Sequence, residues 1–153
     1  MNLSDTDFGA FGANVTVYDH VMLKFLQVGS ILGAVGGLAL GAGKGSRKVG
    51  LVSRMGRGSV LTMGVAGLAS LPVTYYKLSD QDAEQVEDRA YRIRHNMAQR
   101  ELDFFSQVGF ASGAAYGLVI SRMGASVPWI RTAALGMASG VLLHVGKRVT
   151  SSS

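Results

Sequence analysis

The chain contains no cysteine and only two prolines in 153 residues. Without thiols there is no disulfide, no thiolate nucleophile and no cysteine-based zinc or iron–sulfur site, although this absence identifies no compartment. Charge is sparse as well: Asp, Glu, Lys and Arg make up 16% of the residues, and the long apolar stretches carry no Asp or Glu between their ends. The carboxylates on which intramembrane proton relay, ion coordination and quinone chemistry usually rest are therefore missing. The opening sequence MNLSDTDFGAFGANVTVYDH lacks the basic flank and apolar run of a secretory signal and the arginine-rich character of a mitochondrial presequence. If the protein is mitochondrial, its targeting information is expected inside the mature chain.

What the chain does have is glycine, 21 residues of it, in a sequence that is 48% hydrophobic. Glycine is comparatively frequent in transmembrane helices, and a soluble domain would not need several segments this poor in charge. Four spans are expected, at about Val21 to Leu40, Ser59 to Tyr76, Phe104 to Ser121 and Val127 to Val145. Lys24 near one end of the first is expected to snorkel to the interface. Tyr75, Tyr76 and Trp129 suit interfacial belts, and Pro128 in a first helical turn loses no hydrogen bond. This divides the chain into an acidic polar segment at 1–20, a membrane domain at 21–146 and a short tail at 147–153.

Glycines recur at every fourth position at Gly29, Gly33, Gly37 and Gly41, and again at Gly109, Gly113 and Gly117. Small residues at this spacing let two helix backbones approach closely where lipid supplies no hydrophobic drive for association. QVGSILGAVGGLAL (Gln27 to Leu40) aligns without a gap to QVGFASGAAYGLVI (Gln107 to Ile120), sharing seven of fourteen residues at an offset of eighty. With two helices in each copy, the second pair re-enters from the same side as the first, which makes the copies parallel repeats. The fold expected is an all-α membrane protein of four glycine-rich transmembrane helices in two parallel helical-pair repeats, with an amphipathic connecting helix.

That connection runs from Ser79 to Asp103. Ser79 with Asp82 resembles a shortened capping box, acids crowd the first turns, and Arg89, Arg92, Arg94 and Arg100 follow in the order the helix dipole favours. Val86, Ala90, Ile93 and Met97 form one apolar stripe, for the membrane surface or for a protein partner. The first connection holds Lys44, Arg47, Lys48, Arg54 and Arg57 with no acid, and Arg122 and Arg131 flank the third. The positive-inside rule places both connections on the cytoplasmic or matrix side and the acidic N-terminus opposite. Lys147 and Arg148 run against that assignment.

No catalytic, metal or cofactor site is expected. His144 reads as a neutral histidine hydrogen-bonded to a neighbouring helix or lying near headgroups, ahead of a haem ligand or proton carrier, while His20 and His95 belong to no short metal motif. GAGKGSRK (Gly41 to Lys48) lacks the order of a phosphate-binding loop. Lys44, Arg47, Lys48, Arg54, Arg57, Arg122 and Arg131 are candidate contacts for an anionic phospholipid, cardiolipin included, and the same charges also serve topology alone. A carboxylate on a partner is the sharper alternative for Arg131. Because the positive charges are divided among membrane-flanking segments, nucleic acid is not an expected partner.

The short glycine-rich spans, GAVGG at Gly33 to Gly37, SGAAYG at Ser112 to Gly117, GMASG with Gly136 and Gly140, and RMG at both Arg54 to Gly56 and Arg122 to Gly124 resemble the mitochondrial Tim translocase family, which includes an accessory membrane subunit of respiratory complex I. The resemblance implies an inner-membrane protein with four spans and both termini in the intermembrane space. The complex I relative has no redox centre and contributes to packing of the membrane arm. Lack of the cysteines some translocase members use, and of an acid in the membrane to line a precursor route, turns the expectation toward that accessory branch. An import translocase, a subunit of another respiratory or ATP synthase complex, and a small-solute transporter remain the alternatives.

Overall fold

The computed structural model describes residues 3–40 and 50–151, with side chains described from residue 11 onward. Five α-helices follow one another among these residues: α1 (Leu3–Leu40), α2 (Leu51–Ser79), α3 (Ala83–His95), α4 (Met97–Arg122) and α5 (Trp129–Ser151). The fold is all-α. Phe11–Leu40 of α1, α2 and α4 are long and apolar enough to cross a membrane, the mark of a multi-pass membrane protein.

The interior is built from small and polar side chains. The largest fully buried ones are Val17, Ser30, Ser59, Ser70 and Ser106, while Leu32, Leu68 and Leu143 are 63%, 73% and 67% exposed. A water-soluble domain would bury its leucines. Here they face outward, as helices do when their surroundings are as apolar as leucine itself. The 23-residue α5 is not among the three apolar helices. It packs against α4, α2 and α1, so Ala133, Ala134, Met137 and Ala138 are buried against protein. Its other face leaves Leu142, Leu143 and Val145 58%, 67% and 49% exposed.

The expected boundaries shift at both ends. Residues 3–20 are not a separate polar segment: α1 runs through them as one 38-residue helix, about 57 Å long at 1.5 Å per residue against a hydrocarbon layer of roughly 30 Å. Its N-terminal half has a protein surface to lie on. Ala13 and Val17 pack with Val86 and Ala90 of α3, flanked by Val21, Leu78 and Ile93, and Arg94 of α3 donates to Thr16 Oγ1 at 2.7 Å. At the other end α5 continues to Ser151, taking up most of the expected tail.

The amphipathic connection also differs from expectation. Asn96 divides it, leaving the helical ladder at φ −80°, ψ 93° and capping α4 through its side chain, which accepts from Gln99 N. Val86, Ala90 and Ile93 keep their stripe on α3, but Met97 belongs to α4 and is 73% exposed. Ser79 closes α2, and Asp82 is the N-cap of α3 without a side-chain capping bond. The stripe is thus spent on α1 of the same chain. α2 stays helical across Pro72, where the ring removes one backbone donor.

Replacing Val17, which is 1% exposed, by Asp sets an unpaired carboxylate into the α1–α3 contact at a cost of about 2 kcal/mol. Amide exchange in 83–95 should accelerate while α4 and α5 keep their protection. Unchanged exchange there would show that something other than this contact holds α3.

Candidate functional site

Two seams and one joint make the site. In the first seam α1 and α2 run antiparallel, with Gly29 against Thr62 and Ala66, Gly33 against Gly58 and Thr62, and Gly37 against Arg54 and Met55. In the second, α4 and α5 repeat the arrangement: Gly109 faces Gly136 and Gly140, Gly113 faces Thr132, and Gly117 faces Trp129 and Thr132. A Cβ added at Gly33, Gly37, Gly109, Gly113, Gly117, Gly136 or Gly140 would come within 3.0 Å of a neighbouring backbone or side-chain atom, and at Gly29 it would meet Thr62 O at 3.0 Å. Every glycine proposed for packing within the described residues stands in a helix contact. Gly41 lies outside them.

Sequence reasoning missed the partner face on α2. Gly58, Thr62 and Ala66 are spaced by four, a small-xxx-small row that a search for glycine alone passes over. It carries hydrogen bonds too: Thr62 Oγ1 donates to Gly29 O, and Ser59 Oγ donates to Ser30 O at 2.8 Å. The two RMG tripeptides, by contrast, are not equivalent. Gly56 lies in α2 against the Arg131 side chain, whereas Gly124 turns the chain after α4 at φ 90°, a conformation L side chains rarely adopt.

The joint ties α1 to α4. Lys24 Nζ pairs with Asp103 Oδ1, which also accepts from Gln27 Nε2 at 2.9 Å and Gln99 Nε2 at 3.2 Å. Gln27 Nε2 reaches Ser106 Oγ at 2.8 Å, and Lys24 Nζ donates to Gln27 Oε1 at 2.9 Å. His20 Nδ1 stands 3.9 Å from Asp103 Oδ2. Gln27 and Ser106 are 3% and 0% exposed, so their polar atoms are satisfied by one another, as burial requires. Lys24 therefore turns inward to an acid where snorkelling was expected. The sequence held a signal for this: at the offset of eighty that aligns Gln27 with Gln107, Lys24 and Asp103 fall within one position of each other.

At the opposite end Arg131 Nη1 donates to Ser53 Oγ of α2 at 2.9 Å, so within the chain this arginine meets a hydroxyl. Arg57 and Arg122 are exposed, and Lys44, Arg47 and Lys48 lie outside the described residues. Lys147, whose charge ran against the expected orientation, pairs with Glu101 at 2.5 Å. His144 is 3% exposed and lies 5.6 Å from the Phe105 ring, with no hydrogen-bond partner for Nδ1. The neighbouring-helix hydrogen bond expected of it is not made through that atom.

Among the described residues no group of three or more His, Asp or Glu side chains is placed to hold a metal. A polar cleft of about 530 Å³ opens between His20, Gln81, Gln85, Arg89, Asn96 and Gln99. An apolar one of about 680 Å³ lies along α2, closed by Met22 and Leu26 of α1, Phe110 of α4 and Ala134 and Met137 of α5.

The family model described as Protein of unknown function (DUF1757) matches residues 12–142, and the chain belongs to that family. Comparison with the curated proteins finds no match. The matched stretch takes in Ala13 and Val17 of the α1–α3 contact, both seams and all of the joint, so these features lie within one family domain.

Removing one partner of the joint leaves the other without its counter-charge. Asp103→Asn and Lys24→Met should each lower the unfolding free energy in detergent by about 2 kcal/mol, and Lys24→Met combined with Asp103→Leu should recover much of that loss. Additive losses in the double variant would mean that the two side chains stabilise the bundle independently.

Proposed function

We propose that this member of the DUF1757 family is a non-catalytic accessory subunit supporting assembly and stability of the membrane arm of mitochondrial respiratory complex I. In this reading α5 serves as a fourth span, α1–α2 and α4–α5 are two parallel repeats, and the chain sits in the inner mitochondrial membrane with its termini in the intermembrane space. The partners are integral membrane subunits of the complex and anionic phospholipids.

The inside-out packing carries the reading. Close backbone seams and the Lys24–Gln27–Asp103 joint consume the inner faces, while Leu32, Leu68, Tyr116 and Leu143 remain 62% to 73% exposed for neighbouring helices and lipid. Asp103 is engaged by Lys24, Gln27 and Gln99, which weighs against a free carboxylate guiding a basic precursor or a cation. The choice of complex I, over an import translocase or a subunit of another respiratory or ATP synthase complex, leans on the resemblance carried by the glycine motifs.

Native membranes solubilised in mild detergent, with intact complexes separated and their subunits identified by mass spectrometry, test the reading. Co-migration with redox subunits at a fixed ratio, in a band with NADH dehydrogenase activity, is expected. Gly113→Leu, which drives a side chain into α5 at a cost of about 1–3 kcal/mol, should reduce incorporation several-fold without altering cofactor content. Co-migration with import components and bound precursor would replace this function by translocation.

A further inference from the structure

We propose that the furrow between α1 and α2 at their basic end is a binding site for an anionic phospholipid, its acyl chain in the furrow and its phosphate against Arg57. Gly33 and Gly37 bring the two helices to backbone contact, and beside that seam Gly36 has nothing within 4 Å of the place its Cβ would take. The result is a furrow of about 470 Å³ on the outer face, walled by Leu32, Leu40 and Leu61 and ending at Arg54 and Arg57.

Charge complementarity selects the occupant. Arg54 and Arg57 stand in the first two turns of α2, whose first turn contains no acid. Arg57 is exposed, and no carboxylate among the described residues forms an ion pair with it. Two other furrows lack this arrangement. The one farther along α1 and α2, lined by Phe25, Val28 and Val65, has only Lys24 as its cation, and Lys24 is paired with Asp103. The apolar cleft along α2 that Phe110 and Met137 close has no charged lining residue. Of these furrows along the described residues, the one at the basic end combines an apolar slot with Arg57 at its mouth, in the order of a lipid chain and its phosphate.

The inference deepens the lipid partner in the proposed function and rests on α1 and α2 spanning a membrane; it does not depend on which complex the chain joins. Alkaline carbonate extraction of native membranes tests the spanning: release of the chain would overturn both readings. The full chain, delipidated in mild detergent, is then titrated with phosphatidylglycerol or phosphatidylcholine and followed by native mass spectrometry. The wild-type chain should prefer phosphatidylglycerol. Arg57→Gln should weaken that binding about fivefold and leave phosphatidylcholine unchanged. Gly36→Leu, which fills the furrow without touching the seam, should abolish the preferred binding, while Gly146→Leu, also in open space on α5, should match wild type. Equal affinity for the two lipids, wild-type binding by Gly36→Leu and Arg57→Gln, or displacement of the lipid by inorganic phosphate would each overturn the site while leaving the spanning helices intact.

Discussion

Approach of one helix backbone to another, at two seams with no room for a Cβ, is the constraint on which this structure depends. Gly33 against Gly58 and Gly109 against Gly136 bring carbonyl oxygens to the opposing Cα atoms. In lipid, leucines gain nothing by turning toward a neighbouring helix, so association rests on close van der Waals contact and on hydrogen bonds that lipid does not offer. Thr62 and Ser59 reach across to carbonyls of α1 only because the seam is that narrow. The leucines are left outside, and the external furrows follow from the same exclusion of side chains.

The seams make pairs of helices; polar side chains join the pairs. Lys24, Gln27 and Asp103 bridge α1 and α4 at one level, while Arg131 and Ser53 bridge α5 and α2 at the other end. The N-terminal half of α1 is secured separately by α3, and Lys147 with Glu101 adds a tie between α4 and α5 outside the seam. Several charges placed near the spans are thereby used within the chain. The chain thus presents an apolar perimeter while Lys24, Gln27 and Asp103 are partnered inside it.

Legibility in the sequence followed the range of the interaction. Gly33 and Gly113 were visible because a helix places residues four apart on one face, so their own spacing declares a packing surface. What they pack against was less visible: Thr62 and Ala66 do the work of glycine on α2, and Thr62 also supplies a hydrogen bond. The stripe of Val86, Ala90 and Ile93 was legible as a docking face, yet its partner proved to be Ala13 and Val17 in a stretch read as an acidic polar segment. Two copies of RMG looked like a repeat, but a three-residue match carries no register, and the structure puts one in a helix and the other in a turn.

By itself the sequence determined the all-α class, the apolar helices and the small-residue faces, because these depend on composition and on a helical period of a few residues. The tertiary structure decided that Lys24 meets Asp103, that Arg131 meets Ser53, that α3 lies along α1, and that α5 packs against α4, α2 and α1. Such pairings join residues tens of positions apart, and they are settled by how closely the glycine seams let the helices approach and at what rotation. A local pattern states that a face exists; only the assembled bundle brings a second face to it.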